Sequence, residues 1–324
     1  MRAMVAEAWG DPKDLKLREL PDPEPRAGQV AIDVRAIGCN FFDILIAQGR
    51  YQVRPPLPFS PGGEVAGVVR AVGPGVVNTK AGDRVFAMLA YGGYASVAIA
   101  PASDVATMPA SMSFEHGAAF GVVYQTSYFG LVRRAQLRAG ETLLVHAAAG
   151  GVGLAAVQIG RALGARVLAT AGSPAKLASA REHGADLAFD YSGPDWVERV
   201  KEATGGKGVD VVYDPVGGDV FDLSTKCIAF EGRLLVIGFA SGKIPSIQVN
   251  RILLKNISIV GLHWGAYRSH DPGQIGEAMA ELFALYERGA IRPVVSSIRP
   301  LHEAAAALEE IASRKSIGKV LLLP

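Results

Sequence analysis

One run, from Glu141 through Val145, His146 and Ala147 to Gly150, Gly151, Val152 and Gly153, constrains the fold more than any other part of the chain. Apolar residues at 142–147 predict a strand. A turn of small residues follows, and then a helix through Leu154, Ala155, Val157 and Ile159. A strand, a glycine turn and a helix N-terminus present free backbone N–H groups and the positive end of a helix dipole to an anion. The turn reads Ala148-x-Gly150-x-x-Gly153, a dinucleotide fingerprint with alanine in its first position. A glycine pattern of this kind is common, so its neighbourhood decides its meaning.

That neighbourhood is periodic. Strands are predicted at 142–147, 166–170, 187–189, 209–213, 233–237 and 257–261. They recur at about 20–25 residues, the spacing of βα units in a parallel sheet. Ser173-Pro174 reads as a helix cap and first-turn proline, with Gly184 as the stop, and Pro194 as the start of the next helix. Residues 123–264 are therefore expected to form a doubly wound α/β domain. The first 122 residues instead hold short alternating segments broken by Pro55-Pro56, Pro61-Gly62-Gly63, Gly73-Pro74-Gly75 and Gly82-Asp83. This predicts a small, mostly antiparallel β domain. A helix capped by Asp271-Pro272, a second helix near 303–312 and a strand at 319–323 close the chain. Residues 265–324 are expected to complete the first domain, leaving the nucleotide domain as an insertion.

Composition narrows the function classes. The chain has 324 residues, enough for two domains, and a net charge of +2 that argues against nucleic acid and acidic membrane surfaces as partners. No apolar stretch is long enough for a membrane span, and no signal-peptide core opens the chain, so a cytoplasmic protein is expected. Two cysteines, Cys39 and Cys227, are too few for a disulfide framework or an all-cysteine zinc site.

The segments Gly38-Cys-Asn-Phe-Phe-Asp43, Pro61-Gly-Gly-Glu-Val-Ala-Gly67, Gly82-Asp-Arg-Val85, Gly92-Gly-Tyr-Ala95, the stretch 118–128, the opening run, Gly217-Gly218 and Ile237-Gly-Phe-Ala-Ser-Gly242 resemble the medium-chain dehydrogenase/reductase superfamily. Within it they resemble the zinc-independent quinone oxidoreductase, zeta-crystallin-like, branch. The resemblance implies a Rossmann sheet inserted in a GroES-like, mostly β catalytic domain, with the active site in the cleft between them. Zinc-dependent relatives share this architecture. Where they carry zinc ligands, this chain has Asn40, Gly63 before Glu64, and a position close to Val122. Its six histidines are dispersed, so no metal is expected. Asp43 and Glu64 read as carboxylates bonded to turn backbone and nearby cations, and Cys39 as a buried small hydrophobe.

An NAD site places an acid about 20 residues past the glycine turn. Here that stretch, 171–176, has none; it offers Ser173 and Lys176, which favours NADPH. The resemblance adds Tyr191 and Arg314 as walls of the phosphate pocket, and Thr126 at the nicotinamide end. Positions after later strands, Val216, Ile237, Phe239, Ser241, Leu262 and Trp264, complete the expected cofactor set with Ala148, Gly150, Gly151, Val152 and Gly153. Without a Lewis acid, the expected acceptors are quinones or, alternatively, enals, enones and enoyl thioesters. Asn40 and Tyr51 are the residues expected to orient the substrate carbonyl; their other readings are a turn asparagine and a packing tyrosine. A third reading is an NADPH-binding structural or sensor protein with little turnover. The sixth strand, 257–261, is apolar, and the resemblance implies a homodimer in which an edge strand of the nucleotide domain pairs with its twin.

Overall fold

A computed structural model describes residues 1–193 and 195–324. It divides into two compact units, Met1–Val122 with Pro293–Pro324, and Val123–Arg292. In the second unit six parallel strands lie in the order Leu187–Asp190, Arg166–Ala171, Thr142–Val145, Val209–Asp214, Ile228–Val236 and Ser258–Gly261. The sheet runs outward in both directions from the first strand, as a doubly wound fold requires. Leu143, Leu144, Val145, Val211 and Val212 are all fully buried, because helices cover both faces of a parallel sheet. The cap read at Ser173 is present: its hydroxyl accepts the Lys176 N–H at 3.5 Å, Pro174 opens the helix, and Gly184 follows it at φ 117°. The next helix is Trp196–Ala203; Pro194 lies outside the described residues.

The boundary expected at 264/265 is corrected to 292/293. The helix Pro272–Glu287 buries Ala278, Met279, Leu282, Leu285 and Tyr286, and its bonds run to the nucleotide unit. The Gln125 amide donates to the Ile275 carbonyl at 3.1 Å, Arg133 pairs with Glu277 at 2.9 Å, and the rings of Phe129 and Tyr267 meet at 4.5 Å. Gln158 holds both backbone groups of Arg292, accepting its N–H at 2.8 Å and donating to its carbonyl at 2.9 Å. Reading the tail as one block missed these contacts, because helical periodicity shows which face is apolar and not what covers it.

The first unit is built on a seven-stranded sheet. Gln29–Gly38 lies between Glu64–Val72 and Lys319–Leu323, antiparallel to both, and also pairs with Val97–Pro101. Its core joins Val30, Ile32, Ile37, Val65 and Val85 to Leu301, Ala304, Leu308, Val320 and Leu322 from the chain's end. The C-terminal strand thereby sits beside the turn at 38–40, where Cys39 N–H donates to the Val320 carbonyl at 3.0 Å.

Candidate active site

The anion cradle forms where the first strand of the nucleotide unit ends. Ala147 takes a left-handed φ of 47° and turns the chain sharply into the helix Gly151–Ala162, whose N-terminus carries no side-chain cap. Gly153 packs so tightly on that turn that a Cβ would lie 2.3 Å from the Ala147 carbonyl oxygen and 2.8 Å from the Ala148 Cα. Only glycine brings helix and strand this close, leaving the first-turn N–H groups to face a phosphate. Ala148 is buried, its N–H donating to the Thr170 carbonyl at 3.0 Å.

Two of the residues expected around a ribose phosphate, Ser173 and Tyr191, lie at one turn. Lys176 follows the cap Ser173, and the Tyr191 ring lies 3.4 Å from where a Gly172 Cβ would stand. No acid occurs between Ala171 and Lys176. Arg314 belongs to the first unit, in a left-handed turn (φ 56°) after the helix Ala304–Ala312. The later positions line the carboxyl ends of the strands. Ile237 and Leu262 face the small Gly130, each with a methyl group within 3.6 Å of its ideal Cβ, and Ser241 N–H donates to the Val216 carbonyl at 2.9 Å. Phe239 lies against Gly217, Thr126 is half-buried, and the Trp264 indole N–H is buried without a partner among the described residues. A glycine cradle, an uncapped helix and an orphaned indole donor fit a dinucleotide.

His146, passed over in the sequence because the histidines are scattered, is the pin of this loop. It is fully buried, with Nδ1 2.7 Å from the Thr170 hydroxyl and Nε2 2.7 Å from the Ser224 hydroxyl, and it meets the Trp196 ring edge-on. Burial holds its pKa down at about 3, so it is neutral.

In the first unit, Asn40, Asp43, Glu64 and Lys319 form one buried cluster. Asn40 caps the helix Phe41–Ala47, its N–H donating to Asp43 Oδ2 at 2.8 Å, while the Tyr94 hydroxyl donates to the same oxygen at 3.0 Å. Burial raises Asp43 to about 7, against the opposing pull of the Asn40 N–H, Lys319 and Tyr94. Asn40 Nδ2 donates to Glu64 Oε1 at 3.0 Å and to the Gly38 carbonyl at 3.3 Å, and its Oδ1 accepts from Lys319 Nζ at 2.7 Å. Lys319 also donates to the Cys39 carbonyl at 3.0 Å and pairs with Glu64. The expectation that Asn40 donates to a substrate carbonyl is corrected: both amide hydrogens are already engaged, so Asn40 shapes the turn. Tyr51 differs. Its ring stacks on Phe42 at 5.7 Å, it is half-buried, and its hydroxyl has no partner among the described residues.

Residues at the expected zinc-ligand positions do not suit that metal. Position 40 supplies an amide, position 122 supplies a backbone N–H to Glu64 Oε2 at 2.9 Å, and at Gly63 a Cβ would lie 2.3 Å from the Phe42 ring. Among the described residues no three His, Cys, Asp or Glu side chains gather into a metal-binding group. Lys319 was missed by the sequence reading. Its signal was a lone cation opening the otherwise apolar strand Lys319–Leu323.

Comparison with known proteins agrees with this two-part architecture. Residues 26–110 match the alcohol dehydrogenase GroES-like domain and residues 151–284 the family described as zinc-binding dehydrogenase. A quinone oxidoreductase of Pseudomonas aeruginosa is 39% identical over 319 residues, 98% of each chain. The crystal structure of Escherichia coli quinone oxidoreductase complexed with NADPH is 37% identical, covers all of both chains and superposes with a TM-score of 0.93. The CurK enoyl reductase structure is 30% identical over 99% of this chain and 98% of its own, with a TM-score of 0.90.

Proposed function

The chain belongs to the zinc-independent quinone oxidoreductase branch of the medium-chain dehydrogenases/reductases, and on that premise we propose that it reduces quinones with NADPH. The observation that carries the cofactor is the acid-free turn at Ala171–Lys176, which offers the Ser173 hydroxyl, lies beside the Tyr191 ring and ends on Lys176. A carboxylate there would repel a 2′-phosphate, and an ammonium attracts it. Bound NADPH supplies the hydride. The protein's own part is to hold the pyrophosphate at Gly150–Gly153 and to donate from the Tyr51 hydroxyl to the acceptor oxygen as it gains negative charge. Quinones need no metal to accept hydride, and the donor set around Glu64 offers no site for a zinc Lewis acid.

The test is NADPH oxidation by the purified protein against quinones, enals, enones and enoyl thioesters, with NADH in parallel. Quinone turnover is the expected result. A preference for enoyl thioesters would move the assignment to double-bond reduction, the activity named for the similar CurK structure. NADPH binding without turnover would support the sensor reading. Lys176→Ala should weaken NADPH binding about tenfold, the loss of one charge-assisted contact, and leave NADH unchanged. Equal losses for both nucleotides would remove Lys176 from phosphate recognition.

We also propose a cytoplasmic homodimer. Ser258–Gly261 is the outer strand of its sheet, bonded on one side only to Ile228–Val236. The preceding helix, Val249–Lys255, leaves Val249, Leu253 and Leu254 each more than 70% exposed, with Ile244 equally bare. An open edge flanked by aliphatic side chains suits a second copy, which satisfies the backbone and covers the apolar surface together. The variant with both Leu253→Asp and Leu254→Asp should be monomeric by sedimentation or light scattering at micromolar concentration. A wild-type chain that is already monomeric there would end the proposal. No helix among the described residues is long and apolar enough to cross a membrane.

A further inference from the structure

A phenol that donates to a developing oxyanion must be held in one direction, since small errors in placement cost rate. The Tyr51 hydroxyl has no partner of its own among the described residues, so its direction is set by what the ring touches. The chain brings that ring back to the helix it has just left. Gly49 ends the helix Phe41–Ala47 in a left-handed turn (φ 65°), and the Arg50 N–H donates to the Leu45 carbonyl at 2.8 Å. Tyr51 then lies on Phe42, in the first turn of the same helix, with ring centroids 5.7 Å apart and 25° between the planes. Stacked rings of this kind prefer a fixed relative geometry.

Phe42 rests in turn on bare backbone. Gly63 is not a glycine for its own conformation, because its φ lies outside the left-handed region. An ideal Cβ there would stand 2.3 Å from Phe42 Cζ and 2.5 Å from Cε2, and the next atom, 3.6 Å away, belongs to the same ring. Glycine at 63 therefore makes room for the Phe42 ring alone. The Gly63 carbonyl accepts the Leu89 N–H at 2.8 Å, which ties this floor to the chain leaving the strand Arg84–Met88. Both rings pack on the rim of the core and remain partly exposed. Burial and the charge of Asp43 hold the Tyr51 phenol above its ordinary pKa, so it keeps the proton it has to give.

We propose, on the premise that Tyr51 donates to the acceptor oxygen, that Phe42 seated on Gly63 is its positioning residue. Gly63 admits the Phe42 ring, that ring fixes the plane of Tyr51, and the plane sets where the phenol proton points. The acceptor takes the hydride from NADPH and one proton from Tyr51. The phenol O–H bond breaks as an O–H bond forms on the acceptor, and water returns a proton to the phenolate. Phe42 touches no reacting atom and acts only through Tyr51.

The experiment measures kcat and KM of the full chain at saturating NADPH, on the acceptor class that wild type turns over. The cycle is wild type, Phe42→Ala, Tyr51→Phe and the double variant, with Phe42→Leu and Gly63→Ala alongside. Tyr51→Phe should lower kcat by about a hundredfold, the loss of a general acid. Phe42→Ala should lower kcat by about tenfold through misplacement of the donor, with acceptor KM and NADPH affinity nearly unchanged. In the Tyr51→Phe background the same substitution should cost nothing further. Phe42→Leu fills the space without a ring face and should match Phe42→Ala. Gly63→Ala pushes the ring off the backbone, so it should lose as much and add nothing to Phe42→Ala. Should Phe42→Ala fail to accumulate folded, Gly63→Ala with and without Tyr51→Phe carries the test. Wild-type kcat in Tyr51→Phe, or no turnover by wild type on any acceptor, would overturn the donor reading and this proposal with it. A Tyr51→Phe defect beside an unchanged Phe42→Ala, or a Phe42→Ala cost that persists in full without the phenol, overturns this proposal alone.

Discussion

Gly153→Val is expected to abolish NADPH binding, weakening it by about a hundredfold or more, while Gly150→Ala leaves it nearly intact. The two glycines sit three residues apart in one motif and differ in what surrounds them. A Cβ at Gly150 meets only the Ala147 carbonyl oxygen, at an ordinary 3.4 Å, and its φ of −78° is open to any residue. A Cβ at Gly153 meets the same oxygen at 2.3 Å and the Ala148 backbone at 2.8 Å. Backbone atoms cannot rotate away as a side chain does, so the helix must move off the strand. Ala147 already sits at φ 47°, a conformation that costs a non-glycine residue about 1–2 kcal/mol, and the turn has little slack to absorb more. Overpacking of this kind costs about 1–3 kcal/mol in stability. The larger loss is in binding, because N–H groups aimed at a phosphate lose their geometry once the helix shifts. Titration calorimetry with NADPH and a thermal melt separate the two effects. A Gly153→Val protein that binds NADPH within tenfold of wild type would mean that the pyrophosphate does not rest on this turn.

The same comparison shows which parts of the molecule the sequence could reveal. Strand spacing, the cap at Ser173 and the turn at Gly150–Gly153 are local, each written in a few consecutive residues, and the six-stranded sheet follows from them. The boundary at 292/293 depends on Gln158 and Arg292, 134 residues apart, and no local pattern announces such a pair. Asp43 and Glu64 were legible as carboxylates bonded to a turn and a cation, but the cation itself lay 255 positions beyond Glu64. Asn40 shows the opposite limit. Its residue type permits substrate binding, and only the count of its occupied hydrogens shows that the fold has taken them.

Mild acid is expected to weaken the nucleotide unit before the other, and His146 is the reason. Its folded pKa of about 3 lies below the ordinary 6.5, so the unfolded chain takes up the proton first. Stability contributed by the neutral ring is complete above pH 6.5 and drains away as pH falls toward 3, by about 1.4 kcal/mol per unit, or about 2 kcal/mol by pH 5. The ring is enclosed by the Thr170 and Ser224 hydroxyls and Trp196, with no carboxylate among these partners to favour its charged form. Asp214, in the same unit, is shifted up by burial and works in the opposite sense, gaining stability as it takes its proton. In the first unit Asp43 has the opposite sign to His146. Surrounded by Lys319, Glu64, Tyr94 and Cys39, it titrates at about 7 when folded against an ordinary 3.8, so that unit gains stability as pH falls through this range. Urea unfolding followed by hydrogen exchange, with peptides from each unit read separately, should therefore show Val123–Arg292 losing protection between pH 7 and 5 while Met1–Val122 does not. His146→Gln, which keeps a donor and an acceptor for the two hydroxyls but cannot titrate, should flatten that slope even if it lowers stability at pH 7. An unchanged slope in His146→Gln would shift the acid sensitivity to another group.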